Sequence, residues 1–178
     1  MAKKINLIGR LGNKLNCQQK ITMYKLLIEP YINYCSTILF IASDHDIERI
    51  QILQNRIMRS ILRMNKFTSK ESLLSILEFL SVKQRILFNS IISIYKIVNN
   101  LWPNYLSMRI KFNYENKYKQ KLRNRDQIEV NAIKKCTQNS LFYKGIKFYN
   151  ELPIEIKNEK SIIKFKKMLI NYIKQKNL

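Results

Sequence analysis

Apolar residues recur at steps of three and four along much of this chain, which is the period of an amphipathic α-helix. The clearest example is the stretch IERIQILQNRIMRSILRM at residues 47–64. Its predicted core-facing residues are Ile50, Leu53, Ile57, Ile61 and Met64. The pattern therefore predicts one long helix with an apolar face.

The same stretch carries a row of arginines. Arg49, Arg56 and Arg63 are seven residues apart, and Arg59 lies between the last two of them. Because seven residues complete almost two helical turns, these side chains are predicted to form a basic ridge beside the apolar face. Such a ridge can bind anions or simply face solvent, and the pattern leaves both interpretations open.

Two helices are predicted before this one. The first, at residues 2–16, turns four apolar side chains inward: Ile5, Ile8, Leu11 and Leu15. The second, at residues 18–42, is expected to bury Tyr24, Ile28, Tyr31 and Ile32, among others, and to kink or split at Pro30. Ser43 or Asp44 is the predicted N-cap of the helix that follows.

Two capping boxes follow residue 64. Thr68 with Glu71 is predicted to begin a short helix, and Ser81 with Gln84 is predicted to begin a long one. The long helix is apolar on most of its circumference and ends at Asn99, so we expect it to be the central buried element.

Helical periodicity is lost at residues 109–139, which predicts a solvated, partly disordered basic loop. A functional interpretation stays open beside this one, because tyrosines alternate with cations and can stack on bases. The residues concerned are Tyr114, Lys117, Tyr118, Lys119, Lys121, Arg123 and Arg125. Both interpretations hold if the loop becomes ordered on binding. Residues 127–133 are predicted to form a short strand.

The last part of the chain returns to helical periodicity. Residues 140–150 predict a short helix, and Ser161 is predicted to cap a final amphipathic helix with Lys164, Lys166 and Lys167 facing outward. The predicted fold class is all-α, a single helical domain of about six helices. It divides into a helical core at 1–108, the basic loop at 109–139 and a C-terminal helical segment at 140–178.

Charge adds the first indication of function. The 178 residues include 33 Lys and Arg against 12 Asp and Glu, a formal net charge of +21. Solubility alone does not need so large an excess, so the composition indicates an acidic partner, and nucleic acid is the first candidate.

Few residues suggest metal or redox chemistry. Three cysteines at wide spacing and one histidine match neither a structural zinc site nor a disulfide framework, which indicates reduced thiols in an intracellular protein. Asp44, Asp46 and Glu48 beside His45 suit the first turn of a helix and need no metal. We expect no cofactor, no metal and no membrane partner, since the apolar runs are too short to span a bilayer.

Four segments, in order, resemble one protein family. They are YKLLIEPYINYCSTIL (24–39), ERIQILQNRIMRSIL (48–62), SVKQRILFNSIISIYKIVNNLWPNYL (81–106) and FYNELPIEIKNEKSIIKFKKML (148–169). Together they are similar to the C-terminal region of reverse transcriptases from non-long-terminal-repeat retrotransposons of the jockey type. Tyr149 stands where that family usually has tryptophan, and Asn33 where it often has an acidic residue.

The resemblance implies a thumb-like fragment of an RNA-directed DNA polymerase, encoded by a transposable element and acting in the cytoplasm or, as the family suggests, the nucleus. It also implies binding of template RNA or primer. Polymerisation in this family uses paired aspartates on a palm domain, and this chain has no adjacent aspartates, so we expect no catalysis.

The predicted nucleic-acid contacts are Arg49, Arg56, Arg59 and Arg63 of the ridge, Lys117, Lys119, Lys121, Arg123 and Arg125 of the loop, and Lys164, Lys166 and Lys167 of the last helix. The alternative is a non-functional remnant open reading frame of a decayed element. Apolar surface near the N-terminus that would meet the palm in a whole enzyme can also favour self-association.

Overall fold

A computed structural model describes residues 2–11, 14–34, 36–115, 125–130 and 140–176. The α-helices of this part of the chain are α1 (Ala2–Arg10), α2 (Cys17–Leu27), α3 (Glu29–Asn33), α4 (Asp44–Leu62), α5 (Lys70–Leu77), α6 (Val82–Val98), α7 (Asn104–Ser107), α8 (Ile146–Asn150), α9 (Ile154–Lys157) and α10 (Ile162–Gln175). Single turns of other helix types are found at Ile38–Phe40 and Asn113–Glu115 (3-10) and at Leu141–Gly145 (π).

The fold class is all-α, as predicted. Among the described residues, extended chain pairs only at one isolated antiparallel bridge, between Phe112 and Ile128. The prediction of a strand at residues 127–133 is therefore wrong for residues 127–130. Residues 131–133 lie outside the described ranges.

The chain divides into two compact units, Met1–Ile86 and Leu87–Leu178. The division falls inside α6, so one helix contributes its first turn to the first unit and the rest to the second. The predicted domain boundaries after residues 108 and 139 stay predictions.

The core of the first unit is built from the inward faces of α1, α2, α4 and α5. The Tyr24 ring stacks on Phe79 with its centroid 4.5 Å away. The buried side chains around it are Ile5, Ile8, Ile28, Ile57, Met58, Ile61, Leu73 and Leu77. Burying one such side chain contributes about 1.5–3 kcal/mol, so this cluster explains why the short helices α1 and α5 are held in place.

The buried face of α4 differs from the prediction. Gln51 and Gln54 are buried, whereas Ile50 and Leu53 are half-buried at its edges, and Met64 lies beyond the helix end and is exposed. The two glutamines are buried because they find partners in α2 and at the start of α6, as described next.

The glutamines form a hydrogen-bonded network. The Gln51 amide donates to Gln54 Oε1 at 2.9 Å, and the Gln54 amide donates to Tyr24 Oη at 3.0 Å and to the Leu80 carbonyl at 2.9 Å. Gln51 Oε1 accepts the Val82 backbone N–H at 2.8 Å. Since Val82 is the first residue of α6, this network joins α4 to the N-terminus of the next long helix.

Most helix boundaries follow the predicted signals. Ser43 caps α4, and the Ser81–Gln84 capping box precedes α6. The predicted break at Pro30 is present as well, because α2 ends at Leu27 and Pro30 is the second residue of α3. The Thr68–Glu71 box is wrong by one residue, because Ser69 is the N-cap that accepts the Ser72 N–H.

In the second unit the larger part of α6 is buried, and it packs against α10. Ile91, Ile94 and Tyr95 are buried, and the Tyr95 ring stacks on Phe165 at 3.9 Å. The helix predicted at 140–150 is confirmed and begins as the π-helical turn. A Cβ at Gly145 would lie 2.9 Å from Leu141 Cδ1, so a larger residue here would displace the end of the Leu141 side chain.

Asn150 holds the 125–130 segment beside this helix. Its side chain accepts the Ile128 N–H at 3.0 Å and donates to the Ile128 carbonyl at 2.8 Å. On the other edge of the segment, the Asn113 N–H donates to Gln127 and the Glu129 N–H donates to Lys111. These described ends of the predicted basic loop are therefore hydrogen-bonded into the second unit.

Candidate nucleic-acid interface

The three predicted lysines of the last helix are exposed, but they do not all lie on one side of it. Phe165, Leu169 and Ile173 follow one another at four-residue steps and are fully buried. Lys164, Lys166 and Lys167 are exposed, as predicted. Lys164 and Lys167 are three residues apart and share one side of the helix, whereas Lys166 lies on the opposite flank. The amphipathic pattern thus presents these ammonium groups to solvent.

The position of α10 is fixed by Tyr95. The Tyr95 hydroxyl lies 2.8 Å from both the Glu159 and the Lys160 carbonyl oxygens, just before the helix begins. Burial raises the pKa of Tyr95, which keeps the phenol protonated as a donor. Ser161 stands at the predicted N-cap position, although its side chain makes no capping hydrogen bond.

The charge of these lysines is not compensated locally. No Asp or Glu occurs after Glu159 in the sequence. Within the described ranges no ion pair involves Lys164, Lys166 or Lys167. Lys164 and Lys167 lie about 5 Å apart along the helix axis on one side, so phosphate oxygens can contact both, and Lys166 can contact a further phosphate from the other flank.

The predicted arginine ridge of α4 is only partly present. Arg49 and Arg56 are exposed, with Ile52 exposed between them. Arg59 is half-buried, and its Nη2 donates to the Thr68 carbonyl at 3.0 Å. Its Nε is buried and has no hydrogen-bond partner among the described residues. Arg59 therefore closes the turn between α4 and α5, and its prediction as part of a solvent-facing ridge is wrong.

Arg63 also leaves the helical repeat. It is the C-cap of α4 with φ 54°, in the left-handed region, and its side chain is exposed. Because the ridge was predicted from a continuous helix through residue 64, the seven-residue spacing does not extend to Arg63. Arg49 and Arg56 remain on the outer surface of the first unit.

The basic loop is described only at its two ends. Tyr114 is exposed and stacks on Phe112, with centroids 5.2 Å apart, and its N–H donates to the Arg125 carbonyl at 2.9 Å. Arg125 is exposed and pairs with Asp126 at 3.4 Å. The other predicted contacts of the loop lie outside the described residues: Lys117, Tyr118, Lys119, Lys121 and Arg123.

The acidic residues near His45 are engaged in helix and surface contacts. Asp44 pairs with Lys83 at 2.8 Å, and the Ser43 hydroxyl donates to Asp46 at 2.6 Å. In the part of the chain that the structure describes, no group of three or more His, Cys, Asp or Glu side chains could hold a metal ion.

One basic region was not predicted as a contact. No Asp or Glu precedes Glu29, and Lys3, Arg10, Lys14 and Lys25 are all exposed. This absence of acidic residues is visible in the sequence, although the stretch has neither the regular arginine spacing of α4 nor the dense lysines of α10.

Comparisons of the chain with known protein families, curated proteins and solved structures find no match. Across the described residues, no helix combines the length and the apolar composition needed to cross a membrane.

Proposed function

We propose that the chain is a non-catalytic nucleic-acid-binding fragment that contacts the phosphates of template RNA or primer. The observation that carries this proposal is the exposed surface of α10, where Lys164, Lys166 and Lys167 are exposed and have no ion pair among the described residues. Phosphate contacts from lysine give affinity with little sequence specificity.

The resemblance to the C-terminal region of jockey-type reverse transcriptases supports the same proposal. Four of the described residues in its last segment have clear structural roles: Tyr149 and Leu152 are buried, Asn150 binds Ile128, and Pro153 precedes α9. Such a fragment would act inside the cell with its nucleic acid. The chain is proposed to be non-catalytic because it lacks the adjacent aspartates that would hold two metal ions.

Salt-titrated binding to an RNA–DNA hybrid tests the proposal. Replacing Lys164, Lys166 and Lys167 with Glu should weaken binding about tenfold or more. It should also reduce the slope of log affinity against log salt by about 2–3, since each phosphate contact releases roughly one counterion. The matched control changes three exposed lysines elsewhere to Glu, and these are Lys66, Lys83 and Lys147.

The control separates local contact from net charge, because both variants lose the same charge. If the two variants bind alike, the α10 face is not the contact and the proposal fails. Weak attraction to any polyanion, with no dependence on these lysines, would favour a remnant open reading frame. Primer extension by the purified chain with Mg²⁺ and nucleotides would overturn its assignment as non-catalytic.

A further inference from the structure

The first 28 residues of the sequence carry an excess of positive charge, and none of the predicted contacts lies among them. This stretch contains six Lys and Arg and no Asp or Glu. The first acidic residue, Glu29, is already paired with Arg85 at 2.7 Å, and both side chains are mostly buried. Its carboxylate therefore does little to offset the positive charge of α1.

Helix α1 presents this charge around one exposed leucine. Ile5 and Ile8 are buried in the core of the first unit, so the opposite side of the helix faces outward. Leu7 lies on that outer side and is 47% exposed. Lys3 precedes it by four residues and Arg10 follows it by three, so the two cations flank it on the same face.

Lys4 connects α1 to an exposed tyrosine of α3, and a second exposed tyrosine follows that helix. Its ammonium lies 4.9 Å from the centroid of the Tyr31 ring, within the range of a cation–π interaction. Tyr31 is 50% exposed and Tyr34, three residues later, is 81% exposed. Tyr31 was predicted to face inward, and this prediction is wrong because Ile28 and Ile32 supply the buried positions of that segment.

We infer that Lys3, Lys4, Arg10, Tyr31 and Tyr34 form an N-terminal stacking surface that binds single-stranded nucleic acid. The cations contact phosphates, and the tyrosine rings stack on unpaired bases. This inference rests on the proposed function, and it adds a second contact surface that takes a different form of nucleic acid from the hybrid proposed for α10.

The chemistry of the surface favours a single strand over a duplex. Bases in a duplex are stacked on one another, so exposed tyrosine rings reach them only where the bases are unpaired. Aromatic rings beside cations are the usual combination in proteins that bind single strands with little sequence preference.

An anionic membrane fits less well. A helix that lies in a membrane interface needs a continuous apolar face to insert. The apolar face of α1 is already used by Ile5 and Ile8 in the core, and Leu7 stands between Lys3 and Arg10. A membrane and a nucleic acid both carry phosphates that complement the positive charge. Only a nucleic acid also carries bases that can stack on the tyrosine rings.

Fluorescence provides a direct test in the full chain. Trp102 is the only tryptophan, so a Tyr34→Trp change in a Trp102→Phe background places the single reporter on the proposed surface. A poly-U strand of about 12 nucleotides should quench this reporter, because indole and base stack. An abasic strand with the same number of phosphates should bind about tenfold more weakly and quench little. Equal affinity and equal quenching for the two strands would overturn the inference.

Paired substitutions test the same surface without the reporter. Replacing both Tyr31 and Tyr34 with Leu should lower single-strand affinity about tenfold, whereas replacing both with Phe should preserve it, because only the ring is needed for stacking. Tyr105→Leu, at an exposed tyrosine of the second unit, is the matched control. If the Leu and Phe variants bind alike, stacking at this surface is rejected.

Two further measurements distinguish the alternatives. Tighter binding to vesicles of anionic phospholipid than to poly-U, lost in the double Leu variant, would show a membrane surface instead. If the same variant loses a dimer in a sedimentation experiment and its affinity for nucleic acid is unchanged, the surface serves self-association instead. Binding of the RNA–DNA hybrid by the α10 variant is a separate measurement. Stacking at the N-terminal surface can therefore be rejected while the phosphate contact at α10 is confirmed, or the phosphate contact rejected while stacking is confirmed.

Discussion

Asn150 shows how one side chain can replace a strand neighbour. It binds both the N–H and the carbonyl of Ile128, as the next strand of a sheet would. Ile128 is itself buried, so water cannot easily take over these hydrogen bonds. The Lys157 ammonium binds the Asn150 backbone carbonyl at 2.6 Å, a contact that does not depend on the Asn150 side chain.

Asn150→Ala should therefore lower the free energy of unfolding by about 1–3 kcal/mol, because two buried backbone groups lose their partners. Urea denaturation measures the change. Asn158→Ala, at an exposed asparagine in the neighbouring turn, is the control and should change stability much less. Equal effects for the two variants would show that water replaces the Asn150 amide.

Tyr24 gives the chain a pH dependence at the alkaline end. Burial raises the pKa of Tyr24 from 10.0 to about 12. In the unfolded chain the phenol ionises near pH 10, so its contribution to stability is complete below that pH. It is lost as the pH rises towards about 12. A shift of two pKa units corresponds to about 3 kcal/mol.

Tyr24→Phe should remove this part of the alkaline loss. The wild-type chain should lose stability more steeply than the variant between about pH 10 and 12, although the variant starts lower because Gln54 loses an acceptor. Denaturation curves at several pH values check the prediction, with the exposed Tyr105→Phe as control. Parallel curves for wild type and Tyr24→Phe would contradict it.

The burial of Gln51 and Gln54 is not predictable from the hydrophobic pattern of α4. Such a pattern assigns polar side chains to the surface. It therefore predicts Ile50 and Leu53 as the buried residues and the two glutamines as exposed ones. Gln51 and Gln54 are buried because Tyr24, Leu80 and Val82 supply their hydrogen bonds. These partners are about 30 residues away in the chain, and no local pattern contains them.

At the scale of the helix, Arg56 and Arg59 of α4 have different environments, although the sequence pattern predicts both as part of one basic ridge. Arg56 is exposed, whereas Arg59 bonds the Thr68 carbonyl across the turn to α5. The periodicity of α4 was predictable from its sequence. The end of the helix at Leu62 and the return of the chain to Thr68 were not, because they depend on a left-handed residue that carries no glycine signal.

Arg59→Gln should lower the free energy of unfolding by about 1.5–3 kcal/mol, the range for a hydrogen bond to a charged group. Arg56→Gln should leave stability within about 0.5 kcal/mol, as for most surface changes. Both variants lose one charge from the same helix. The difference between their stabilities in urea denaturation therefore reports the contact of Arg59 with the Thr68 carbonyl. Similar stabilities would show that Arg59 has no structural role.

At the scale of the whole molecule, the excess of positive charge should oppose folding. A net charge of +21 repels itself in the compact state more than in the expanded chain. The all-α class and most of the helices were predictable, because amphipathic periodicity and caps are local signals. The division into two units inside α6 was not, because it depends on contacts between distant residues.

Raising the NaCl concentration from about 0.02 to about 0.5 M shortens the Debye length several-fold and should raise the melting temperature of the chain. A scan by circular dichroism measures this shift. The α10 variant with three lysines changed to Glu should show a smaller rise, since its net charge is lower. An unchanged melting temperature across this range would mean that self-repulsion is negligible.

The scarcity of glycine has a consequence for the helix ends. Only three glycines occur in the chain, and non-glycine residues adopt left-handed backbone conformations at Arg63, Glu78 and Asn100, near the ends of α4, α5 and α6. Left-handed geometry costs a side chain such as Glu about 1 kcal/mol, and Asn somewhat less. The three helix ends therefore store conformational strain, and a glycine at Arg63 or Glu78 would relieve more of it than a glycine at Asn100. These helix ends are the natural places to stabilise this fold by design.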